Sequence, residues 1–325
     1  MKILVVGVGS IGMRHLRNAI ALGHEAYAVD INPDNLKAAV SIARDVFVSL
    51  DEALSVKPQV AVICTFSNDH IKPAIACAVA GCHLFIEKPI ALHRDGISGL
   101  VSIIKDNSLI SMVGCNMRFH PGVGRVFEML QQPQTGKPLC ADLEFGYYLP
   151  FAKTNHKNSY QANSRLGGNL IFDDIHELDC AVWMFGLAQK VICSKDILSD
   201  VVNDTEDYVE MIIKFVSGVS VRIHMDYLQH GYARKYKVVC DKATVGWDFT
   251  SKQVGVITKE KKDWVWEPLD LPLYYNQMYV DEMKYFLKKV EEKVATFNSV
   301  EDSLGVLDLA LAASRSAQTG QWEKV

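Results

Sequence analysis

Long apolar runs are absent from this 325-residue sequence: no window holds 18 consecutive apolar residues, so no membrane-spanning helix is expected. A surplus of basic charge is absent too, because 34 lysines and arginines face 38 aspartates and glutamates. The resulting net charge of −4 gives a nucleic-acid partner no electrostatic support. The eight cysteines form no CxxC pair and no zinc-type spacing with histidine, so no metal site is expected. They are typical of reduced core thiols in a cytoplasmic protein.

The sequence contains two regions with different patterns. Residues 1–118 alternate short β-branched runs with helical patterns, which predicts βαβ units and a doubly wound parallel sheet. Residues 119–325 contain longer candidate strands that follow one another directly, two of them joined by a predicted hairpin turn at Ser217-Gly218. Helices are predicted in this second region near 172–185, 275–294 and 300–317. We therefore predict an α/β chain whose second domain, over 119–325, is an α+β domain with a large, mainly antiparallel open sheet.

The segment GVGSIG at residues 7–12 follows the first predicted strand and opens the first predicted helix, which is the context of a dinucleotide-binding fingerprint. Its first glycine allows a tight turn, its second lets the backbone approach a pyrophosphate, and its third lets the helix pack on the sheet. The pyrophosphate is then expected at the helix N-terminus. Residues 1–118 are accordingly predicted to be a Rossmann domain. The cofactor-binding residues predicted in this loop are Gly7, Gly9, Ser10, Ile11 and Gly12.

The second predicted strand ends at Asp30, eighteen residues after Gly12, where a ribose-binding acid is expected. A carboxylate accepts hydrogen bonds from the ribose 2′ and 3′ hydroxyls but repels a 2′-phosphate. Ile31 and Asn32 supply no arginine that would neutralise such a phosphate. The sequence therefore predicts NAD(H) in preference to NADP(H). The simpler alternative is a glycine-rich turn followed by a chance acid.

Two further segments, TFSNDH at 65–70 and EKP at 87–89, begin at the carboxyl ends of predicted parallel strands. Ligands of open α/β sheets bind beyond such ends. Pro89 directly after Lys88 suggests a strained or cis peptide that aims the lysine at the nicotinamide. A surface lysine is the simpler alternative. The cofactor-binding residues predicted in these segments are Thr65, Asn68, His70, Glu87 and Lys88.

In the second region, the pair Gly167-Gly168 precedes a predicted helix that carries Asp173 and His176. Residues three apart share one face of a helix. A carboxylate beside an imidazole can fix its tautomer and raise its basicity, and the imidazole can take a proton from an alcohol near neutral pH. The sequence therefore predicts a dehydrogenase-type acid–base pair. A capped helix start, with His176 merely packed, is the alternative.

Taken in order, five segments resemble the Gfo/Idh/MocA family, which includes glucose–fructose oxidoreductase and inositol dehydrogenase, and the resemblance covers nearly the whole chain. These segments span residues 7–12, 65–70, 87–89, 114–119 and 167–179. The resemblance implies that Lys88 orients the substrate hydroxyl and stabilises developing charge on its oxygen. It also implies that His176 is the general base supported by Asp173, and that Asn116 belongs to the cofactor site.

One position departs from the family pattern. The usual spacing Asp-x-Gly-x-His would place an acid at 172, where this sequence has Phe172, and Asp174 stands at the glycine position. Whether Asp173 or Asp174 is the catalytic acid therefore stays open. The substrate pocket is expected to include Lys88, Asp173 and His176, and further Arg118, Tyr160 and Arg165; the alternative for Tyr160 and Arg165 is a surface loop.

The function implied by the resemblance is reversible hydride transfer between NAD and a secondary alcohol of a sugar, sugar acid, amino sugar or cyclitol. A homodimer or homotetramer formed through the C-terminal sheet is implied as well. One open alternative is a redox-neutral hydrolase, hydratase or epimerase with tightly held NAD. The other is a non-catalytic NAD-linked sensor that binds a partner protein.

Overall fold

The structure, a computed structural model, describes residues 1–164, 168–269 and 276–325. The chain divides into two compact units. The first comprises Met1–Asn116 and Asn276–Leu307, and the second comprises Met117–Tyr275 and Asp308–Val325. Residues 276–307 thus lie with the N-terminal unit, whereas the sequence pattern placed everything after residue 118 in one domain.

The sheet of the first unit has six parallel strands: β1 (Lys2–Val6), β2 (Glu25–Val29), β3 (Val46–Phe47), β4 (Val60–Ile63), β5 (His83–Ile86) and β6 (Ser111–Val113). Their spatial order is β3-β2-β1-β4-β5-β6, and the direction of winding reverses between β1 and β4. Ligands of doubly wound sheets bind at such a reversal. The intervening helices are α1 (Ser10–Ala21), α2 (Pro33–Val40), α3 (Leu50–Leu54), α4 (Ile71–Val79) and α5 (Ile97–Asp106). The predicted doubly wound parallel sheet is confirmed.

The central strands β1, β4 and β5 are apolar apart from Lys2 and His83 at their first positions, because both faces of the sheet are covered. Burial of each large aliphatic or aromatic side chain contributes about 1.5–3 kcal/mol. This layer therefore gives the loops after β1, β4 and β5 a rigid base. Side chains with 0% exposure include Ile3, Leu4, Val5, Leu84, Phe85 and Ile86.

The sheet of the second unit has nine strands: β7 (Pro138–Gly146), β8 (Ala188–Asp196), β9 (Tyr208–Phe215), β10 (Ser220–Asp226), β11 (Ala233–Cys240), β12 (Ala243–Asp248), β13 (Gln253–Thr258), β14 (Val265–Pro268) and β15 (Glu323–Lys324). Their order is β14-β13-β12-β11-β7-β10-β9-β8-β15. Neighbours are antiparallel except β7 and β10. The predicted mainly antiparallel sheet is confirmed, as is the hairpin turn between β9 and β10, where Gly218 has φ +89°.

The helices of the second unit precede or interrupt its strands. They are α6 (Pro121–Leu130), α7 (Leu149–Ala152), α8 (Leu170–Asp173) and α9 (His176–Phe185). Helix α6 contacts β12 and β13, and α9 contacts β7 and β10. Near the end of the chain, α10 (Gln277–Glu292) packs on α1 within the first unit. Helix α11 (Leu304–Thr319) follows, and from Asp308 onward it belongs to the second unit. No helix of the described residues is long and apolar enough to cross a membrane.

The helix predicted near 172–185 is wrong in its extent. It is two helices, since α8 ends at Asp173 and α9 begins at His176. Asp174 leaves the helical region, with φ −109° and ψ 39°, and its carboxylate accepts a hydrogen bond from the Tyr227 hydroxyl at 3.2 Å. Asp173 and His176 therefore do not share a face of one continuous helix. Gly186 ends α9 as expected, with φ +88°.

Candidate active site

The glycine loop between β1 and α1 contains two positions that exclude a side chain. Gly7 has φ +85°, and a Cβ there would lie 2.8 Å from the carbonyl oxygen of Cys64. A Cβ at Gly12 would collide with the carbonyl oxygen of Gly7 itself. Both obstacles are backbone atoms, which cannot turn aside as a side chain can. Only glycine therefore fits this loop at either position.

The middle glycine of the loop has open surroundings. A Cβ at Gly9 would meet no described atom within 4 Å, and Gly9 is the N-cap of α1. Among the described residues, no side chain caps this terminus, and the first turn carries no acid. The first-turn N–H groups, those of Ser10 and Ile11 among them, have no intrahelical acceptor. This terminus therefore fits a phosphate group.

Asp30 directly follows β2, and its carboxylate is fixed by three donors. Oδ2 accepts hydrogen bonds from the Val8 N–H at 2.8 Å and the Asn35 side-chain amide at 3.0 Å, and Oδ1 accepts from the Asn32 N–H at 2.7 Å. Each carboxylate oxygen has two lone pairs, so the three donors leave one acceptor position, on Oδ1, for a ribose hydroxyl. The acid thus orders the glycine loop, a role that the sequence did not reveal.

The segment after β4 presents one predicted residue at the surface and buries another. Asn68 is exposed and lines an open cleft of about 380 Å³. His70 is 2% exposed, with Nδ1 2.8 Å from the Pro89 carbonyl oxygen and Nε2 3.0 Å from that of Thr65. Burial lowers the pKa of His70, although the two carbonyl contacts act in the opposite direction. The ring therefore connects the loop after β4 to the loop after β5.

Lys88 lies two residues beyond β5 and is half-exposed. The Lys88–Pro89 peptide bond is cis, one of the two forms that the sequence suggested. The preceding Glu87 is buried, and its N–H donates to the Ile63 carbonyl at 2.9 Å, which extends the sheet to this residue. The lysine is therefore presented from the end of a paired strand.

The Glu87 carboxylate lies between two partners. Oε1 is 2.6 Å from Nε2 of His15 on α1, and Oε2 accepts a hydrogen bond from the Lys88 N–H at 3.2 Å. Burial pushes the pKa of Glu87 upward, but the His15 hydrogen bond and the attraction of His15 and Lys88 outweigh it, so the net shift is downward. The carboxylate is consequently ionised at neutral pH.

Asn116, predicted to bind the cofactor, is 6% exposed. It is the last residue of the range Met1–Asn116 that belongs to the first unit. Its side-chain amide donates to Sδ of Met278 on α10 at 3.6 Å. The neighbouring Cys115 N–H donates to Oε1 of Glu282, a buried acid of the same helix, at 2.5 Å. Helix α10 therefore fixes the loop that follows β6.

In the second unit, the residues before His176 are held by local hydrogen bonds. The Asn169 side chain caps α8 by accepting from the Ile171 N–H at 3.1 Å, and Asp173 Oδ2 accepts from the Asn169 N–H at 3.2 Å. Asp173 is 7% exposed, whereas Asp174 and His176 are half-buried. Each aspartate thus has a distinct anchor, a backbone N–H for Asp173 and the Tyr227 hydroxyl for Asp174.

Three tyrosines are influenced by the charges of the two aspartates, and one of them, Tyr227, bonds Asp174. Burial raises the pKa of Tyr147, Tyr160 and Tyr227, and the charges of Asp173 and Asp174 raise each pKa further. All three phenols therefore stay protonated at neutral pH. Such groups can donate hydrogen bonds to the oxygens of a polyhydroxylated ligand.

A lysine completes this cluster. Burial lowers the pKa of Lys153, against the opposing attraction of Asp173 and Asp174. Its Nζ donates to Oε1 of Gln161 at 2.7 Å and lies 5.1 Å from the centre of the Tyr160 ring. Tyr160, which the sequence predicted as a substrate residue, is therefore part of a larger polar cluster in the second unit.

Two buried arginine–carboxylate pairs anchor α9. Arg118, a predicted substrate residue, contacts Asp179 through Nε at 2.9 Å and Nη2 at 2.6 Å, and its side chain is 5% exposed. Arg234 contacts Glu177, the residue after His176, at 2.7 and 2.9 Å. Bidentate geometry makes such pairs directional. They set the orientation of the first turn of α9, which carries His176. The other predicted arginine, Arg165, lies with Gly167 outside the described residues.

Sequence reasoning missed several of these groups, although two of them left a signal. His15 falls among the buried positions of amphipathic α1, and Arg234 occupies an inward position of β11, so each is a polar residue on an apolar face. Such residues need partners when buried. The partners lie far along the chain and could not be deduced. The remaining missed residues are Tyr147, Lys153 and Tyr227. Among the described residues, no group of three or more His, Cys, Asp or Glu could hold a metal ion.

The sheet order, the glycine loop and the acid after β2 define a dinucleotide-binding protein of the Rossmann class. The chain belongs to the GFO/IDH/MocA family. Residues 1–115 match its oxidoreductase domain with the NAD-binding Rossmann fold, and residues 123–246 match the GFO/IDH/MocA C-terminal domain.

Relatives and solved structures agree with this assignment. The chain is 26% identical to a myo-inositol 2-dehydrogenase of Thermotoga maritima over 98% of this chain and 96% of the relative. It is 26% identical to an inositol 2-dehydrogenase of Rhizobium meliloti over 78% and 77% of the two chains. A levoglucosan dehydrogenase in complex with NADH and levoglucosan superposes with a TM-score of 0.90 at 18% identity, over 100% of this chain and 99% of the other. The last comparison shows a common fold.

Proposed function

We propose that this protein is an NAD(H)-dependent oxidoreductase that acts on a secondary alcohol of a sugar, sugar acid, amino sugar or cyclitol. The observation that carries the proposal is Lys88, the lysine of the family's Glu-Lys-Pro segment, presented at the end of β5 in the unit that contains the glycine loop. The names of the inositol dehydrogenase relatives support a polyhydroxylated substrate.

The residues of the first unit fit a dinucleotide. The uncapped start of α1 and the open side of Gly9 suit a diphosphate, and the remaining acceptor position of the Asp30 carboxylate suits a ribose hydroxyl. We propose a preference for NAD over NADP, since the donors on Asp30 are backbone and amide N–H groups and not a cation that would attract a 2′-phosphate. Thr65, Asn68, His70, Glu87 and Asn116 stay proposed cofactor-site residues, directly or through their neighbours.

The chain's own residues would handle the alcohol and its proton. The glycine loop and Asp30 would hold the dinucleotide, which would supply a hydride acceptor for the alcohol carbon and a hydride donor in the reverse direction. Lys88 would hold the hydroxyl oxygen and stabilise negative charge there, and His176 would take the hydroxyl proton. We propose Asp173 as the supporting acid and Asp174 as its alternative. Replacing each by asparagine separates them, because the supporting acid gives the larger fall in kcat.

The substrate side is proposed to include Tyr160 and the neighbouring tyrosines, with Arg118 acting through Asp179. We also propose a functional division near residue 118, which falls between the two family matches. A cytoplasmic location is proposed because all eight cysteines carry free thiols.

A homodimer or homotetramer through the second unit's sheet is part of the same proposal. Trp266 and Ile212 on this sheet are each 41% exposed, and Trp264 stacks on Trp266 with ring centroids 4.8 Å apart. Exposed aromatic groups of this kind favour protein interfaces. Sedimentation velocity of the double variant Ile212→Lys, Trp266→Lys should show a smaller species than the parent protein.

The activity is tested by incubating the purified protein with NAD and a panel of myo-inositol, levoglucosan, glucose, glucosamine and glucuronate. NADH absorbance should rise with at least one compound, and Lys88→Met should lower that rate about 100-fold or more while NADH still binds. Lys105→Met, an exposed lysine of α5, is the matched control. Full activity of Lys88→Met contradicts the assignment. Product formation without absorbance change would indicate the redox-neutral alternative, and NADH binding without any product would indicate the sensor.

A further inference from the structure

The first unit contains a buried histidine–carboxylate pair that the proposed chemistry does not use. His15 on α1 is 0% exposed, and its Nε2 lies 2.6 Å from Glu87 Oε1. Since a carboxylate only accepts hydrogen bonds, Nε2 is the donor. The other ring nitrogen, Nδ1, is buried without a hydrogen-bond partner among the described residues. The pair is therefore retained at the cost of one unsatisfied polar atom, which a purely apolar side chain would not incur.

The second oxygen of the same carboxylate holds the backbone of the lysine. Glu87 Oε2 accepts from the Lys88 N–H at 3.2 Å, and an added Cβ at Gly114, beyond β6, would lie 3.4 Å from both Oε2 and the Lys88 nitrogen. The carboxylate thus sits in a space bounded by three elements, α1, β5 and the end of β6. From this space it contacts the backbone N–H of the lysine.

The donor side of the pair belongs to the helix that the dinucleotide is expected to meet. His15 lies one and a half turns from the N-terminus of α1, and its ring packs against Phe85 of β5 with centroids 5.1 Å apart. A continuous series of contacts therefore runs from α1 through His15 and Glu87 to the Lys88 backbone. If β5 alone fixed the lysine backbone, the contact between Glu87 and His15 would not be needed to hold it.

We propose that His15 and Glu87 are positioning residues for Lys88, with the Glu87 carboxylate held by His15 so that its second oxygen fixes the Lys88 N–H. The proposal rests on the proposed function for the role of the lysine amine, but its contacts lie wholly within the first unit. A displacement of about 1 Å at a reacting group can cost about 100-fold in rate. Loss of the pair should therefore lower kcat more than it weakens cofactor binding.

The variants separate positioning from general stability. His15→Leu removes the donor, whereas His15→Gln places an amide N–H where Nε2 stood and should restore function. Glu87→Gln keeps one acceptor oxygen and removes the charge, so the His15 and Lys88 N–H groups no longer each have a carboxylate oxygen of their own. The matched control is His83→Leu at the amino end of the same strand. His83 also bonds a backbone group, the Ile110 N–H at 2.9 Å, but it lies about 15 Å along the chain from Lys88.

The first readout is the Lys88 amide in a ¹H–¹⁵N spectrum of protein labelled at lysine, with the peak identified by its loss in Lys88→Met. The peak should shift in His15→Leu and Glu87→Gln, return toward its original position in His15→Gln, and stay in place in His83→Leu. An unmoved peak in the first two variants overturns the proposal, and so does an equal shift in the control.

The second readout is steady-state kinetics with the panel compound that shows the highest rate, together with NADH binding by fluorescence. In His15→Leu, kcat should fall about 10- to 100-fold, while the Kd for NADH changes by less than about 3-fold. An unchanged kcat, or a loss confined to NADH binding, contradicts positioning. If Lys88→Met keeps full activity, the proposed function fails instead, and the spectrum still decides whether His15 and Glu87 hold the Lys88 backbone.

Discussion

The two units build their functional residues by different physical means. In the first, the nucleotide-binding features are mainly backbone: a loop that admits only glycine at two positions, an uncapped helix start and an acid fixed by N–H groups. In the second, side chains hold the helix that begins at His176, through two buried bidentate ion pairs on α9, and the Tyr227 hydroxyl bonds the nearby Asp174. The first unit should therefore be sensitive to substitutions that add atoms to its loop. The second should be sensitive to substitutions that remove a hydrogen-bonding or ionic partner.

The largest effect on stability is expected when one member of a buried ion pair in the second unit is removed. Arg234→Met leaves the fully buried Glu177 without its guanidinium, and removal of one member of a buried pair costs about 3–5 kcal/mol of unfolding free energy. Urea denaturation measures this loss. The double variant Arg234→Met, Glu177→Leu removes both charges and should recover most of it. If the double variant is as unstable as the single one, loss of packing, and not an unpaired charge, explains the result.

In the first unit, the corresponding test adds a methyl group to the glycine loop. Gly12→Ala places a Cβ against the Gly7 carbonyl and should cost about 3 kcal/mol of stability, or prevent folding. Gly9→Ala meets no described atom and should fold with an unchanged melting temperature. It should nevertheless bind NADH more weakly, since the methyl group occupies the approach to the start of α1. Equal melting temperatures for the two variants would contradict this account of the loop.

The same difference decides how much could be predicted from sequence. The glycine spacing, the acid after β2 and the alternation of strands and helices are local patterns, and the parallel sheet they predicted is the one observed. The family resemblance supplied Lys88 and His176 for the same reason, because each lies in a short segment. Contacts between residues far apart in the chain leave no local pattern in the sequence. Examples are the pairs His15 with Glu87, Arg118 with Asp179 and Arg234 with Glu177.

The single helix predicted near 172–185 failed for a related reason. Its residues have helical periodicity, but the Asn169 cap and the Asp173 carboxylate stabilise the start of a separate short helix. Asp174, which follows this helix, is non-helical and accepts a hydrogen bond from the Tyr227 hydroxyl. Tyr227 is more than fifty residues further along the chain. The break in the helix thus coincides with a tertiary hydrogen bond, which local sequence patterns do not reveal.

A smaller effect is expected from acid titration of the second unit. His120 is 3% exposed and accepts the Gly122 N–H at the start of α6 at 3.1 Å. Burial, and then the charge of Arg234, lower the pKa of His120 from 6.5 to about 4. Between these values the unfolded chain binds a proton that the folded chain does not, so stability falls as the pH drops from about 6.5 toward 4, by up to about 3 kcal/mol.

The variant His120→Asn tests this origin of acid sensitivity. Asparagine keeps a cap acceptor for α6 but does not titrate in this range. Urea denaturation near pH 7.5 and near pH 5 should show a smaller loss of stability in the variant than in the parent protein. An identical loss would assign the acid sensitivity to other groups.

The smallest effect concerns the acid of the first unit and its choice of cofactor. Asp30→Asn keeps the volume of the side chain but leaves one acceptor oxygen for the three N–H donors that the carboxylate now serves. It also removes the charge that would repel a 2′-phosphate. NADH should bind about 10-fold more weakly, the equivalent of one lost hydrogen bond, and NADPH should bind less weakly than it does to the parent protein. Fluorescence titration with both nucleotides measures the change, and Asp34→Asn, an exposed acid of α2, controls for general electrostatics. If the parent protein binds NADPH as tightly as NADH, the carboxylate orders the loop without selecting the nucleotide.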